Sequence, residues 1–395
     1  MKKRMCLICS LAVLLTLFSS VSLPIIAFAE TEGDYTYKVL SDGTAEISSY
    51  KGSATKVVVP GTIGGRSVTS IGSSAFASRK SIQSITLPNS VKRIDHYAFA
   101  NCAAVTSVKL PDALTSMGDS AFDSCALLET IALPDSLTDI GVCAFANCTA
   151  LQSIRLPDGV KKISRYLFSE CKSLESVEMG DSVASVEMYA FSGCSSLRNI
   201  TLSDTVTTID LCAFSTCLSL TSFTFPAGLK TIGKSAFNNC TALQSVVIPE
   251  GVTSIAENAF LYCKSLVSVW LPDSLQSIGN SAFSECTLLE SVRISDNTTD
   301  IAKYAFYGCP SLGFIVHDGS YLHQYVLDND IPFALVGELT GDGIIDVQDA
   351  LVLFVYINVV TTIDEIVVPF ADMNSDGKVN LFDAARLFYK ANGLI

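Results

Sequence analysis

The strongest constraint on the fold is an unbroken spacing of 23 residues between phenylalanines. Eleven phenylalanines follow it: Phe76, Phe99, Phe122, Phe145, Phe168, Phe191, Phe214, Phe237, Phe260, Phe283 and Phe306. A fixed period of this length indicates a solenoid, in which each repeat adds one coil. A coil this short cannot bury its own apolar face, so it must pack on its neighbours. The spacing therefore predicts one cooperative stack over residues 66–318.

The copy at residues 128–148, LETIALPDSLTDIGVCAFANC, shows what each coil contains. Its first apolar residues alternate with polar ones as far as Ile131 and Leu133, which predicts a short strand. The following Pro-Asp-Ser predicts a turn. A second short apolar step comes next, and the segment from Phe145 to Cys148 predicts a tight helical turn that places both side chains in the core.

This pattern resembles the 23-residue leucine-rich repeats of the BspA type, which occur on bacterial surface proteins. The resemblance implies a repeat solenoid with short parallel β-strands and tight helical turns. Residues 30–65 are expected to form an N-terminal cap hairpin, and residues 319–336 a closing cap and linker. Both caps are needed because terminal coils would otherwise expose their apolar ends.

Residues 1–29 have the composition of a secretory signal peptide. A basic start precedes an apolar run, and Ala27-Phe28-Ala29 provides a cleavage site with small residues at its first and third positions. No second apolar stretch of about 20 residues follows, so no membrane span is expected. The formal net charge is −13, and loss of the three basic residues of the leader makes it −16. An acidic, secreted or surface-associated protein is a poor candidate for binding nucleic acid.

Ten cysteines follow the repeat phenylalanines at a distance of three residues: Cys102, Cys125, Cys148, Cys171, Cys194, Cys217, Cys240, Cys263, Cys286 and Cys309. Secretion permits disulfides between neighbouring coils. Equivalent side chains in successive coils point in parallel, however, which favours small buried hydrophobes over bonded pairs. Cys143 and Cys212 lie outside this column and three coils apart, too far to bridge each other.

From Gly337 the period stops, and a duplicated acidic loop begins. Each copy carries oxygen-bearing side chains at loop positions 1, 3, 5, 9 and 12 and glycine at position 6, which is the pattern that a calcium ion needs. The apolar segments 350–358 and 384–392 follow the two loops as predicted helices. No helical pattern precedes either loop.

This half-EF-hand duplication resembles a type I dockerin, a small all-α calcium-loop module, over residues 337–395. The resemblance implies two calcium sites and a cohesin partner on a scaffold protein or cell surface. Position 7 of each loop offers its backbone carbonyl. The implied calcium ligands are Asp372, Asn374, Asp376, Lys378, Asn380 and Asp383 in the second loop, and Glu338, Thr340, Asp342, Ile344, Asp346 and Asp349 in the first.

Two features of the loops depart from that family's pattern. Glu338 and Thr340 replace the usual Asp and Asn, so the second loop is expected to bind calcium more tightly. The family's cohesin-contact positions carry mostly apolar residues, which predicts an apolar partner interface. They are Val347, Gln348, Leu381 and Phe382. An alternative is that the loops bind calcium only for stability.

The residue between the two inward residues of each first strand is predicted to face outward. From coil to coil this outward row consists of Thr86, Lys109, Ala132, Arg155, Glu178, Thr201, Thr224, Val247, Trp270, Arg293 and Val316. Trp270 is the only tryptophan in the chain, and its neighbours in the row are Val247 and Arg293. An exposed tryptophan beside arginine is typical of a binding hot spot, although isolated surface aromatics are common.

No catalytic constellation accompanies the repeats. Gly228 to Ser235 satisfies the phosphate-loop expression G-x4-G-K-S, but it lies in register with the repeat and lacks the long helix that this motif requires. The sequence therefore predicts a non-catalytic binding protein whose solenoid recognises a protein or glycan and whose dockerin docks to a cohesin, as in cellulosome-like assemblies for polysaccharide breakdown. The alternatives are a surface adhesin and, more remotely, a carbohydrate-active hydrolase.

Overall fold

The protein is described by a computed structural model over residues 29–317 and 319–335. The two predicted calcium loops and all of the predicted leader except Ala29 lie outside these residues. No helix in the described part of the chain is long and apolar enough to cross a membrane.

The described part of the chain begins with antiparallel strands that lead into the stack. Its strands β1 (Glu30–Glu32), β2 (Tyr35–Val39) and β3 (Ala45–Tyr50) pair antiparallel in chain order. Three more strands follow: β4 (Lys56–Val58), β5 (Thr62–Ile63) and β6 (Arg66–Ile71). Strand β3 pairs parallel with β6, and β5 pairs antiparallel with β6, so the hairpin joins the first coil through its edge.

Most coils then contribute two very short strands. These are β7 (Ser84–Thr86), β8 (Arg93–Ile94), β9 (Ser107–Lys109), β10 (Ser116–Met117), β11 (Thr130–Ile131), β12 (Asp139–Ile140), β13 (Ser153–Arg155), β14 (Lys162–Ile163), β15 (Ser176–Glu178), β16 (Ser185–Val186), β17 (Thr208–Ile209), β18 (Thr231–Ile232), β19 (Ser245–Val247), β20 (Ser254–Ile255), β21 (Ser268–Trp270), β22 (Ser277–Ile278), β23 (Ser291–Arg293) and β24 (Asp300–Ile301).

The strands stack in parallel along two sides of the solenoid. On one side, which we call the first sheet, the strands pair in three groups: β4, β7, β9 and β11, then β13 and β15, then β19, β21 and β23. On the other side, the second sheet, they pair in two groups: β6, β8, β10 and β12, then β14, β16, β17, β18, β20, β22 and β24. Within the repeats, partners are offset by one period, as in Ser153 opposite Ser176. The pairing of the second sheet is interrupted between β12 and β14, where the buried Ser164 hydroxyl donates to the Ile140 carbonyl at 2.6 Å.

The predicted helical turn is a run of hydrogen-bonded turns, and none of the described coils contains an α-helix. The N–H groups of Ala98 and Ala100 bond to carbonyls three residues earlier, whereas those of Tyr97, Phe99 and Asn101 bond to the next coil at 2.8 Å. Tyr97 and Asn101 have left-handed backbone, with φ of 58° at each, and this conformation directs their N–H groups toward the next coil. Hydrogen bonds between coils therefore form in place of the hydrogen bonds of an α-helix, because they satisfy backbone groups of two coils at once.

The predicted phenylalanine column is confirmed. Successive rings from Phe76 to Phe306 stack with centroids 5.0 to 5.9 Å apart and interplanar angles of 1° to 21°. Tyr50 of the cap stacks on Phe76 at 5.2 Å. At the other end, Phe314 meets Phe306 edge-on at 5.3 Å. One continuous apolar core therefore runs the length of the described coils.

The cysteine column lies beside the phenylalanines as free thiols, so the interpretation as small buried residues is the one that the structure supports. Each thiol donates to the carbonyl oxygen of a phenylalanine in the preceding coil at 3.1 to 3.3 Å, as Cys194 does to Phe168. The thiols thus connect coils through hydrogen bonds.

A buried carboxylate fastens the N-terminal cap to the first coils. Glu46 on β3 is 3 % exposed, and its oxygens lie 2.7 Å from Lys38 Nζ and 3.2 Å from Arg93 Nη2. The Ser70 hydroxyl donates to the same carboxylate at 3.3 Å. Because these partners come from β2, β6 and β8, Glu46 connects the hairpin with two successive strands of the second sheet.

We expect Glu46→Gln to lower the free energy of unfolding by about 2 kcal/mol, since it removes charged hydrogen bonds at a buried site. Glu178→Gln is the matched control, because Glu178 is 73 % exposed and 3.4 Å from Arg155. Exposed ion pairs contribute about 0 to 1 kcal/mol. Urea titration of both variants measures the difference, and equal losses would contradict the role assigned to Glu46.

The C-terminal cap pairs a strand with a helix. Strand β25 (Phe314–Val316) is parallel to β26 (Phe333–Leu335), and helix α1 (Tyr321–Asp328) lies between them in the chain. Ser320 caps the helix by accepting from the His323 N–H at 3.1 Å. Leu322, Tyr325 and Val326 are buried.

The prediction that Val316 faces outward is wrong. Phe314, one position before the inward position of the preceding coils, packs against Phe306, and Val316 is only 1 % exposed. Alternate residues of a strand share a face, so a shift of one residue reverses which side chains point inward. The outward row therefore ends at Arg293.

Candidate binding surface

The outward row lies on the solvent face of the first sheet, as predicted for ten of its eleven members. Lys109, Arg155 and Glu178 are exposed, and Thr86 is half-buried. The residues before and after the row positions are buried and attach the strand to the core, except Met179 and Ile294, which are partly buried and pack against it. From Thr86 to Thr224 the row is polar or small, so its apolar part is confined to the coils that follow.

Val247, Trp270 and Arg293 are adjacent across β19, β21 and β23. Val247 lies directly opposite Trp270 on the neighbouring strand, and Trp270 lies directly opposite Arg293. Their exposed fractions are 65 %, 57 % and 51 %. The prediction that these three residues are neighbours on the surface is confirmed. We call them the tryptophan patch.

The strands beneath the tryptophan patch hold it rigidly. Val246 and Val269 are each 1 % exposed, and Leu271 is 2 % exposed. Phe260 and Phe283 stack below with centroids 5.2 Å apart. A ligand on this surface would therefore meet side chains on a preformed sheet, which reduces the ordering cost of binding.

Carboxylates border the tryptophan patch. Arg293 Nη2 lies 3.3 Å from Asp273 Oδ1, a contact that the sequence interpretation missed. Arg155 and Asp135 form the equivalent contact at 2.8 Å with the same offset of 20 residues. That recurring offset from the Pro-Asp turn to the outward row is a signal that could have predicted the pair.

Glu250 occupies the turn one coil before Asp273. Its carboxylate accepts from the backbone N–H groups of Asp273 at 3.1 Å and Ser274 at 3.3 Å. These hydrogen bonds lower the pKa of Glu250, because they stabilise its ionised form. The Arg293 guanidinium thus lies near a fixed acidic border, and the surface has apolar, cationic and anionic parts within three coils.

The phosphate-loop match has the geometry of an ordinary coil. Its residues include strand β18 (Thr231–Ile232), and turns follow it in place of a long helix. The histidines likewise take part in local contacts: His96 Nδ1 is 3.4 Å from Asp119 Oδ2, and His317 Nδ1 is 2.9 Å from Asp296 Oδ2. Within residues 29–317 and 319–335, no group of three or more His, Cys, Asp or Glu side chains is arranged to hold a metal.

The stacked coils, with short parallel strands on two sides and one apolar column inside, define a leucine-rich repeat solenoid. The family model described as BspA type leucine rich repeat region (6 copies) matches residues 69–198 and 184–313, more than half of the chain. The protein therefore belongs to the BspA-type leucine-rich repeat family. A second model, the dockerin type I domain, matches residues 336–389, so a dockerin domain is present.

Solved structures of bacterial proteins resemble the solenoid. A leucine rich cell surface protein from Faecalibacterium prausnitzii A2-165 is 28 % identical with a TM-score of 0.56, and the match covers 78 % of this chain and 94 % of that one. A leucine-rich repeat protein from Bacteroides ovatus is 25 % identical with a TM-score of 0.50, over 78 % of this chain and 100 % of that one. No curated protein matches the sequence.

Proposed function

We propose that this protein is a non-catalytic binding protein that recognises a protein ligand through the tryptophan patch. The observation that supports this most is the exposed Trp270 in register with Val247 and Arg293 on a rigid sheet. Tryptophan and arginine are the residue types most enriched in binding hot spots. Both matched families are non-catalytic, which agrees with this function.

We further propose that the C-terminal dockerin attaches the solenoid to a cohesin in a calcium-dependent manner. The donor chemistry supports this, because the first three ligand side chains of the second loop, Asp372, Asn374 and Asp376, offer oxygen atoms, which calcium prefers. The apolar contact residues Leu381 and Phe382 favour an apolar cohesin surface. The proposed role in polysaccharide breakdown is based only on the association of dockerins with cellulosome-like assemblies.

Trp270→Ala is expected to weaken ligand binding by roughly 30-fold to 1000-fold, because truncating a hot-spot residue costs about 2 to 4 kcal/mol. The probes are immobilised panels of bacterial surface proteins, extracellular matrix proteins and polysaccharides, screened with the full chain. Thr224→Ala, in the same row but outside the tryptophan patch, is the control and should bind like wild type.

Three outcomes of that screen separate the candidate functions. Binding to one protein class that depends on Trp270 supports the proposal. Trp270-dependent binding to a polysaccharide would replace the protein ligand by a glycan. Protein binding unaffected by Trp270→Ala would show that the tryptophan patch is not the recognition surface.

A surface adhesin is the second candidate, because the similar Faecalibacterium prausnitzii protein is named a cell surface protein. In that case the dockerin only tethers the solenoid, and the ligand belongs to a host or neighbouring cell. Binding of the full chain to intact cells, lost in Trp270→Ala and retained in excess chelator, would favour the adhesin over a role inside a cohesin-based assembly.

The two calcium loops are expected to differ in affinity. Asp376→Ala should remove the tighter site and Asp342→Ala the weaker one, because Glu338 and Thr340 give the first loop a less favourable ligand set. Calorimetric titration of calcium into the chelator-treated full chain measures both sites. Equal affinities for the two loops would contradict this prediction.

A further inference from the structure

A second unusual surface lies on the turn side of the solenoid, in four consecutive coils. It is formed by the third and second residues before the phenylalanines of those coils, and all eight side chains are half-buried or exposed. We call it the turn-face patch: Val142, Cys143, Arg165, Tyr166, Met188, Tyr189, Leu211 and Cys212. Seven of the eight carry no formal charge, although the chain as a whole is strongly acidic.

The centre of the turn-face patch is a pair of stacked tyrosines. The rings of Tyr166 and Tyr189 are 4.8 Å apart with an interplanar angle of 2°. The pKa of Tyr189 is raised, first of all by its interaction with the Cys212 side chain. Because Cys143 and Cys212 occupy equivalent positions on either side of the tyrosines, the column has the order Cys, Tyr, Tyr, Cys.

The backbone presents these side chains in a fixed way. Residues 143, 166, 189 and 212 all have left-handed backbone, with φ values of 58°, 57°, 58° and 53°. Their neighbours in the adjacent column follow the order Val142, Arg165, Met188, Leu211. Reversal of the coil order therefore places Val142 opposite Leu211, both apolar, and Arg165 opposite Met188, against which the aliphatic part of the arginine side chain packs.

Charged residues border the turn-face patch with the same symmetry. In the column of Val142, Asp119 precedes the patch and Lys234 follows it. One coil further out lie His96, whose Nδ1 is 3.4 Å from Asp119 Oδ2, and Glu257, whose carboxylate is 2.8 Å from Lys234 Nζ. In an antiparallel arrangement, Asp119 of one copy faces Lys234 of the other.

We propose that a second copy of this chain binds the turn-face patch in antiparallel orientation, with the twofold axis between the coils of Tyr166 and Tyr189. A twofold interface must use the same patch on both copies, and this patch meets that condition in its apolar residues and in its charged borders. Each Asp119 pairs with a Lys234 of the other copy, and each Cys143 lies opposite a Cys212.

The small size of the patch sets the strength of this contact. Its eight residues are fewer than the roughly 20 to 30 per partner of a standard stable interface. The dimer is therefore weak and concentration-dependent, and electrostatic complementarity contributes mainly to its orientation. Raising the ionic strength should weaken it, because exposed charge pairs are screened by salt.

Charge reversal tests the orientation. Asp119→Lys and Lys234→Asp should each weaken self-association of the full chain at least tenfold by sedimentation velocity, because each places like charges opposite one another. An equimolar mixture of the two variants should restore association, since both contacts are then attractive. Glu178→Lys, on the first sheet, is the control and should associate like wild type.

Thiol cross-linking provides a second readout of the same contact. A short bismaleimide should join Cys143 of one copy to Cys212 of another in wild type, with the linked peptides identified by mass spectrometry. Cys143→Ser alone and Cys212→Ser alone should lose this link, and their mixture should regain it. A monomeric chain at every concentration, or failure of both mixtures to restore association, would overturn the proposal.

Discussion

Raising the pH above about 9 is expected to unfold the solenoid steeply. Burial raises the pKa of the Cys102 thiol to about 11 and that of Cys240 to about 12. The same cause raises the pKa of most other thiols in the column well above 9: Cys125, Cys148, Cys171, Cys194, Cys217 and Cys263. For Cys286 the hydrogen bond with Cys309 is the larger cause and burial the second.

The direction of the effect follows from proton binding. In the unfolded chain these thiols ionise near 9, whereas in the folded chain they keep their protons to higher pH. Their contribution to stability is therefore complete below about pH 9 and is lost as the pH rises toward 11 to 12. Each such thiol changes the free energy of unfolding by about 1.4 kcal/mol per pH unit, so the eight thiols whose pKa is raised by burial together give on the order of 10 kcal/mol per pH unit.

Urea titrations at several pH values measure this dependence. Folded domains are stable by about 5 to 15 kcal/mol in total, so we expect unfolding within one or two pH units above 9. Cys194→Ala is the matched variant: it removes one thiol, so the slope should fall by about 1.4 kcal/mol per pH unit. A stability that does not change between about pH 8 and 10 would contradict the buried cysteine column.

Replacing one ring in the middle of the phenylalanine column is expected to destabilise the whole stack. Phe191 is fully buried, and its ring lies 5.4 Å from Phe168 and 5.1 Å from Phe214. Phe191→Ala leaves a cavity that no side chain can fill, and such changes cost about 3 to 5 kcal/mol. Loss of two stacked ring contacts adds to this cost, at about 0.5 to 1.5 kcal/mol for each pair.

Trp270 reports whether that loss is transmitted along the solenoid. As the only tryptophan, it gives a fluorescence signal from a coil beyond Phe237, well away from Phe191. If neighbouring coils support one another, the urea transition of Trp270 should shift to lower concentration in Phe191→Ala. Leu218→Ala, at a site 39 % exposed, should shift it little. An unchanged Trp270 transition in Phe191→Ala would show that the coils unfold independently.

Much of the solenoid could be predicted because its cause is periodic. A spacing of 23 residues places Phe145 and Phe168 at equivalent points of successive coils, and only stacking buries both. The N-terminal hairpin was also predictable, since Ser41-Asp42-Gly43 marks a turn between alternating segments. The juxtaposition of Val247, Trp270 and Arg293 followed directly from the same period.

Other features depend on competition between contacts that periodicity does not specify. The segment after Ile140 has helical spacing, yet the N–H groups of Cys143, Phe145 and Asn147 bond to the next coil, so turns form in place of a helix. Val316 turned inward because Phe314 covers the end of the core. The hydrogen bond from Ser164 to Ile140 depends on local backbone spacing. Such outcomes are decided by three-dimensional packing.

Cohesin binding with and without calcium tests the central claim most directly, which is that a rigid recognition solenoid is attached to a scaffold through its dockerin. The full chain is titrated against an array of type I cohesins in calcium and in excess chelator. We expect at least one cohesin to bind in calcium, equally well in wild type and Trp270→Ala, and to dissociate in chelator. Absence of binding to every cohesin, or binding that persists in chelator, would contradict the account.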